Sequence, residues 1–180
     1  MLPTPTDVLS AAHRLRGVIE RTPLLPSPAL SALAGSETYL KCEHLQRTGS
    51  FKLRGAFNRL ALLSPEVGAR GIVASSAGNH GLGVAHAARA LGLRARVFVP
   101  ATAPAVKRDG IAALGAEVDA SQPHYDAAHD AAVEYAREHG MEFVNPCAGA
   151  ALLAGQGTVG LEILEELPQV RTLVVPVGGG

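Results

Sequence analysis

Between residues 71 and 145, short apolar runs of strand character alternate with segments of helical periodicity, and this alternation narrows the possible folds more than any other feature. Gly71-Ile72-Val73-Ala74-Ser75 is followed by a helical pattern from about His80 to Leu91. Arg96-Val97-Phe98-Val99-Pro100 is followed by another opening near Pro104, with Val106, Ile111 and Leu114 on its apolar face. A short strand at Ala116 to Ala120, a helix over Asp126 to His139 and a strand at Met141 to Asn145 continue the pattern. A helix between successive strands makes them run in one direction, because a tight hairpin joins only antiparallel neighbours. The sequence therefore predicts an α/β fold with a parallel sheet covered by helices on both faces, a design whose ligands gather at the carboxyl ends of the strands.

Composition agrees with that plan. The chain of 180 residues is 47% apolar but only 4% aromatic and has no Trp, so Ala, Val, Leu and Ile build the core, as in helix-covered parallel sheets. Sixteen Lys+Arg balance sixteen Asp+Glu. With no basic field to attract nucleic acid and no acidic excess, the expected partner is a small molecule. Cys42 and Cys147 form neither a metal spacing nor a disulfide framework, which fits a reducing compartment and predicts a cytoplasmic protein. Met1 to Arg16 lacks the basic and apolar runs of a signal peptide or membrane span and reads as a helix. Thr6-Asp7 would cap it, with Val8, Ala12, Leu15 and Ile19 on one face.

A second change comes at Pro146-Cys147-Ala148-Gly149, taken as a lobe boundary. A helix bearing Val159, Ile163, Leu164 and Leu167 then leads to the run Thr172 to Val177. That run is uniformly apolar, as a central buried strand would be, yet the sequence stops three glycines later. It predicts a fragment whose continuation completes a second lobe.

Three constellations bear on chemistry. The first is Thr48-Gly49-Ser50-Phe51-Lys52-Leu53-Arg54-Gly55-Ala56. An amine condenses with an aldehyde only when unprotonated, so a reactive lysine gains from partial burial and a nearby cation. Phe51, Leu53 and Arg54 offer these to Lys52, although by spacing alone Lys52 reads as a solvated helix cation. The second is Ser75-Ser76-Ala77-Gly78-Asn79-His80-Gly81-Leu82-Gly83, a strand-to-helix junction. Its free N–H groups and helix dipole suit a carboxylate, or simply make a polar cap. The third is Val175-Pro176-Val177-Gly178-Gly179-Gly180, where glycine amides suit a phosphate or merely mark a turn.

In their order along the chain, Arg21-Thr22-Pro23-Leu24-Leu25, Leu40 to Gln46 leading to Gly49-Ser50-Phe51-Lys52, Ser76 to His80, Ala154-Gly155-Gln156-Gly157-Thr158 and Val175 to Gly180 form five blocks. Together they resemble the serine/threonine dehydratase family, threonine ammonia-lyase-like, of the fold-type II (tryptophan-synthase-like) pyridoxal-phosphate enzymes. The resemblance implies a two-lobed architecture, with residues 46–145 as the small lobe and 1–45 with 146–180 as part of the large one. Pyridoxal 5'-phosphate would be the cofactor. Lys52 would form the Schiff base, Phe51 would pack on the ring, Asn79 would hydrogen-bond the ring hydroxyl, and Gly178, Gly179 and Gly180 would bind the phosphate. The segment Ser76, Ala77, Gly78, Asn79 and His80 would hold the substrate carboxylate. The implied reaction is β-elimination from L-threonine or L-serine to a 2-oxo acid and ammonia. Lys52 would act as the α-proton base in a protein that is a homo-oligomer at full length, with no metal ligand assigned.

Two positions depart from the pattern. Serine racemases carry Ser where this chain has Ala77, and a methyl group donates no proton, which argues against racemisation. Pro146-Cys147-Ala148-Gly149 stands where dehydratases show an aromatic followed by acidic residues, which leaves the substrate open. Racemase-like chemistry, an ectoine-breakdown type of dehydratase, β-replacement and an inactive truncated protein of this fold remain alternatives.

Overall fold

The computed structural model describes residues 2–177. Helix α1 runs over Pro5–Arg14. Its cap is Thr4 rather than Thr6. The Thr4 hydroxyl accepts from the Asp7 N–H, and the Asp7 carboxylate accepts from the Thr4 N–H at 2.7 Å. Pro5 sits at the first helical position, where its missing N–H costs nothing, and so sets the earlier start. The helix ends before Leu15 and Ile19, although Leu15 is buried.

Strands β1 (Leu24–Pro26) and β2 (Tyr39–Lys41) then pair antiparallel around helix α2 (Pro28–Ala34), a unit the sequence reading did not resolve. A 3₁₀ turn over Glu43–Leu45 leads to helix α3 (Lys52–Leu60) and the short helix α4 (Pro65–Arg70).

The predicted alternation follows as β3 (Ile72–Ser75), α5 (Asn79–Ala90), β4 (Ala95–Pro100), α6 (Ala105–Ala113), β5 (Glu117–Gln122), α7 (Tyr125–Glu138) and β6 (Glu142–Phe143). The four strands form one parallel sheet in the order β5-β4-β3-β6. Strand alternation sorts its two faces. Ile72, Ala74, Val97 and Val99 join the core shared with Leu53, Val84 and Ile111, whereas Val73 and Phe98 meet Ala128, Ala132 and Ala136 of α7. The four-residue spacing of those alanines gives α7 a smooth stripe against the sheet. Each fully buried aliphatic side chain contributes about 2 kcal/mol through removal from water.

Helix α8 (Ala150–Glu166) closes the arrangement by packing on α1 and α3. Contact with α3 is backbone to backbone. A methyl group on Gly155 would overlap the Arg54 carbonyl oxygen and lie 2.7 Å from the Gly55 Cα. After α8, Thr172 to Val177 is not a strand and is exposed, with Val174 at 91%. Among the described residues no strand lies beside it, and an isolated run has nothing to satisfy its ladder of N–H and C=O groups.

Candidate functional site

The carboxyl ends of β3 and β6 place two loops beside one helix start. After Ser75 the chain turns through Ser76-Ala77-Gly78 into α5, and after Phe143 it runs through Val144 to Gly149 into α8. Lys52 opens α3 between them. The Ser76 hydroxyl accepts from the Gly78 N–H at 3.1 Å, and the Ser76 N–H donates to the Phe98 carbonyl. Gly81 lets the first turn of α5 fold onto this loop, because a Cβ there would overlap the Ser76 carbonyl oxygen. The first N–H groups of α5 lack intrahelical acceptors and carry the positive end of the helix dipole.

The partly buried Lys52 amine donates to the Pro146 carbonyl at 3.0 Å and lies 5.2 Å from the centre of the Phe51 ring. Among the described residues no carboxylate pairs with it. Lys41 makes the contrast, since its amine meets Glu162 at 2.8 Å. Phe51 is 40% exposed and Asn79 is exposed at the first position of α5, so both present themselves outward. His80 does the reverse. It is 3% exposed, and its Nε2–H donates to the Val144 carbonyl at 2.9 Å. Burial, with Lys52 nearby, outweighs that hydrogen bond and pushes the imidazole pKa down to about 4, so the ring is neutral. Nε2 is thereby committed to the protein.

Arg54 does not serve as the neighbouring cation the sequence suggests for Lys52. Two residues along a helix is about 200° around its axis, so the two side chains leave on opposite sides. Arg54 is fully buried and held by Glu43 at 2.7 Å and Glu162 at 2.6 Å, with Thr158 at 3.1 Å. Lys41 donates to the Thr22 carbonyl at 2.6 Å as well as to Glu162, and the Thr22 hydroxyl donates to Glu43. Burial works against the Glu162 carboxylate, but Arg54 and Lys41 outweigh it and hold its pKa below the usual range. The cluster explains three of the sequence blocks, which converge on one guanidinium. Sequence reasoning missed it. Its only local signal is the four-residue spacing of Thr158 and Glu162, which puts them on one face of α8.

A carbonyl-bearing aromatic cofactor fits these residues. Among the described residues the Lys52 amine has no ion pair, and an exposed ring flanks it. Thr48 Oγ1, four positions before Lys52, and Ser75 Oγ and His80 Nδ1, which flank the Ser76-to-Asn79 loop, are buried without partners among the described residues. A buried polar atom without a partner costs about 1–3 kcal/mol, and a ligand that meets one recovers that cost. Gly178, Gly179 and Gly180, the expected phosphate loop, lie outside the described residues. Among the described residues no cluster of His, Cys, Asp and Glu could hold a metal ion, and no helix is long and apolar enough to cross a membrane.

Residues 15–180 match the model of the family described as pyridoxal-phosphate dependent enzymes. An L-threonine ammonia-lyase of Thermotoga maritima is 48% identical over 177 residues, 98% of this chain and 44% of that protein. A catabolic L-threonine dehydratase of Staphylococcus aureus is 43% identical over 97% of this chain and 51% of its own length. Among solved structures, maize serine racemase superposes with a TM-score of 0.94 at 32% identity, covering 100% of this chain and 55% of that one. Processed threonine deaminase isoform 2 of Solanum lycopersicum gives 0.90 at 36%, covering 97% and 48%. The chain thus spans about half the length of the curated relatives it matches.

Proposed function

Since the chain belongs to the pyridoxal-phosphate dependent enzymes, with the α/β architecture of fold-type II, we propose that the protein carrying it deaminates L-threonine or L-serine by β-elimination, giving a 2-oxo acid and ammonia. The observation that carries this reading is the Lys52 amine. It is partly buried, paired with a neutral carbonyl and placed where two strand ends and two helix starts meet. The names of the relatives supply the reaction class.

Pyridoxal phosphate, when bound, supplies an electron sink for the negative charge left at the substrate Cα. The protein's own groups do the rest. Lys52 Nζ would hold the cofactor and, once the substrate amine has replaced it there, would be a free amine able to take the proton from Cα, a transfer of the kind worth about 10²–10⁴-fold in rate. Phe51 packs against the ring, and Asn79 directs its amide to the ring hydroxyl. Gly178, Gly179 and Gly180 receive the phosphate. The loop Ser76, Ala77, Gly78, Asn79 and His80 binds the substrate carboxylate through the N–H groups at the start of α5, which orients the Cα–H bond. Residues 46–145 act as the small lobe against a large lobe that includes 1–45 and 146–180. The whole protein works in the cytoplasm as a homo-oligomer.

Likeness to maize serine racemase favours a second reading, racemisation of serine. Ala77 weighs against it, since its methyl group can neither give nor take a proton. One assay decides between them. The protein carrying this chain is incubated with L-threonine and L-serine, and 2-oxo acid is measured together with the handedness of the serine left over. The expected result is 2-oxo acid with no D-serine, and a fall of more than about 10³-fold in Lys52→Ala. Undiminished activity in that variant overturns the assignment, and D-serine as the main product replaces it with the second reading.

A further inference from the structure

The segment that receives the Lys52 amine is weakly tied to the sheet. Strand β6 is two residues long, and the last ladder bond it leads to is Val144 N–H to the Val73 carbonyl at 2.8 Å. Beyond that bond the chain leaves the sheet, and Asn145 only closes a local turn by accepting from the Cys147 N–H at 2.9 Å. Two side chains from elsewhere grip this exit. His80 Nε2–H donates to the Val144 carbonyl at 2.9 Å, and Lys52 Nζ donates to the Pro146 carbonyl at 3.0 Å, two residues on. The other ring nitrogen of His80 has no partner among the described residues, so the ring hydrogen bond they show goes to this segment.

Helix α5 also sets the backbone of Lys52. A Cβ at Gly83 would lie 3.1 Å from the Lys52 carbonyl carbon, so this helix meets the start of α3 along its glycine. One helix therefore locates both the backbone of Lys52 and the carbonyl that its amine meets. We propose that His80 is a positioning residue: its ring N–H pins the Val144–Pro146 backbone, and thereby holds the Lys52 amine in one place. Being buried and neutral, the ring carries one N–H, and the Val144 carbonyl fixes it on Nε2.

The consequence for turnover rests on the proposed function, but the positioning itself is tested without turnover. The full protein, freed of any cofactor, is treated with limiting acetic anhydride, and acetylation of Lys41, Lys52 and Lys107 is followed by mass spectrometry. His80→Phe keeps a ring and removes the donor; His80→Gln keeps a donor of similar reach. In His80→Phe the Lys52 rate should rise roughly fivefold relative to Lys107, the equivalent of one ordinary hydrogen bond, while His80→Gln stays near the parent. Lys41, buried in its ion cluster, reports on the fold and should remain protected. An unchanged Lys52 rate in His80→Phe, equal behaviour of the two variants, or a parallel rise at Lys41 each overturns the proposal. If 2-oxo acid formation has been established, kcat should fall in His80→Phe with KM little changed, and the failure of that reading would leave the labelling result standing.

Discussion

The sheet between Ile72 and Phe143 and the seam where α3 meets α8 are both buried, yet they cohere by different physics. In the sheet, Ile72, Val73, Val97 and Val99 are fully buried aliphatic side chains whose attraction has no direction. In the seam, the largest buried side chain is Arg54, held by Glu43 and Glu162 in fixed geometry beside a glycine contact that admits no methyl group. A directional seam of this kind stabilises only when complete. Removing one member leaves charges stranded, whereas a lost methylene in the sheet costs only its own burial and a small cavity.

The sharpest break of this contrast is Arg54→Met. It should cost about 3–5 kcal/mol in urea unfolding, against about 1 kcal/mol for Ile111→Val under the sheet. Equal losses would show that the ion cluster adds nothing beyond ordinary packing.

Acid should separate the two regions next. His80 titrates at about 4 in the folded chain and near 6.5 when unfolded, so between those values the unfolded form takes up the proton first. Stability should then fall by roughly 3 kcal/mol as pH drops from 6.5 to 4 and lose nothing further from this group below 4. The Glu162 carboxylate, depressed in the folded state, contributes above its unfolded value, and its share is lost only as pH falls through the lower folded one. Thermal melts across this range should show the first limb, and His80→Phe should flatten it. A parent chain with no loss above pH 4 would contradict the burial of a neutral ring.

The smallest effects compare two glycines on α8. Gly155→Ala drives a methyl group into the backbone of α3 and should cost about 1–3 kcal/mol. Gly160 has nothing within 4 Å of its would-be Cβ, so Gly160→Ala should stabilise the helix by about 0.5–1 kcal/mol. Similar shifts for both would mean that α8 does not touch α3 as described.

Legibility in the sequence tracks the same divide. The four parallel strands, the helices between them and α8 were readable because their signals are local, in periodicity and turn residues. The pairing of Leu24–Pro26 with Tyr39–Lys41 was not, because three-residue strands carry too little periodicity. Thr172 to Val177 has the composition of a buried strand, but no strand among the described residues pairs with it, and a strand is a property of a pair of segments. At the candidate site, Lys52, Phe51, Asn79 and the loop from Ser76 to His80 were singled out by motif. The inward turn of His80 and the Pro146 carbonyl beneath the amine were not, because a rotamer and a backbone acceptor leave no mark in a residue string.

By itself, then, the amino-acid sequence determined the α/β alternation, which rests on local pattern, and the class of cofactor chemistry, which rests on the order of five blocks along the chain; the role of Lys52 in that chemistry is part of the proposal. Only the tertiary structure decided that Arg54 belongs to an ion cluster rather than to Lys52, and that His80 faces the protein. Both outcomes depend on groups far apart in the chain, with Arg54 and Glu162 separated by 108 positions and His80 and Val144 by 64. Burial makes such pairings decisive, because away from water a polar group must find a partner within the fold or bear the cost of having none.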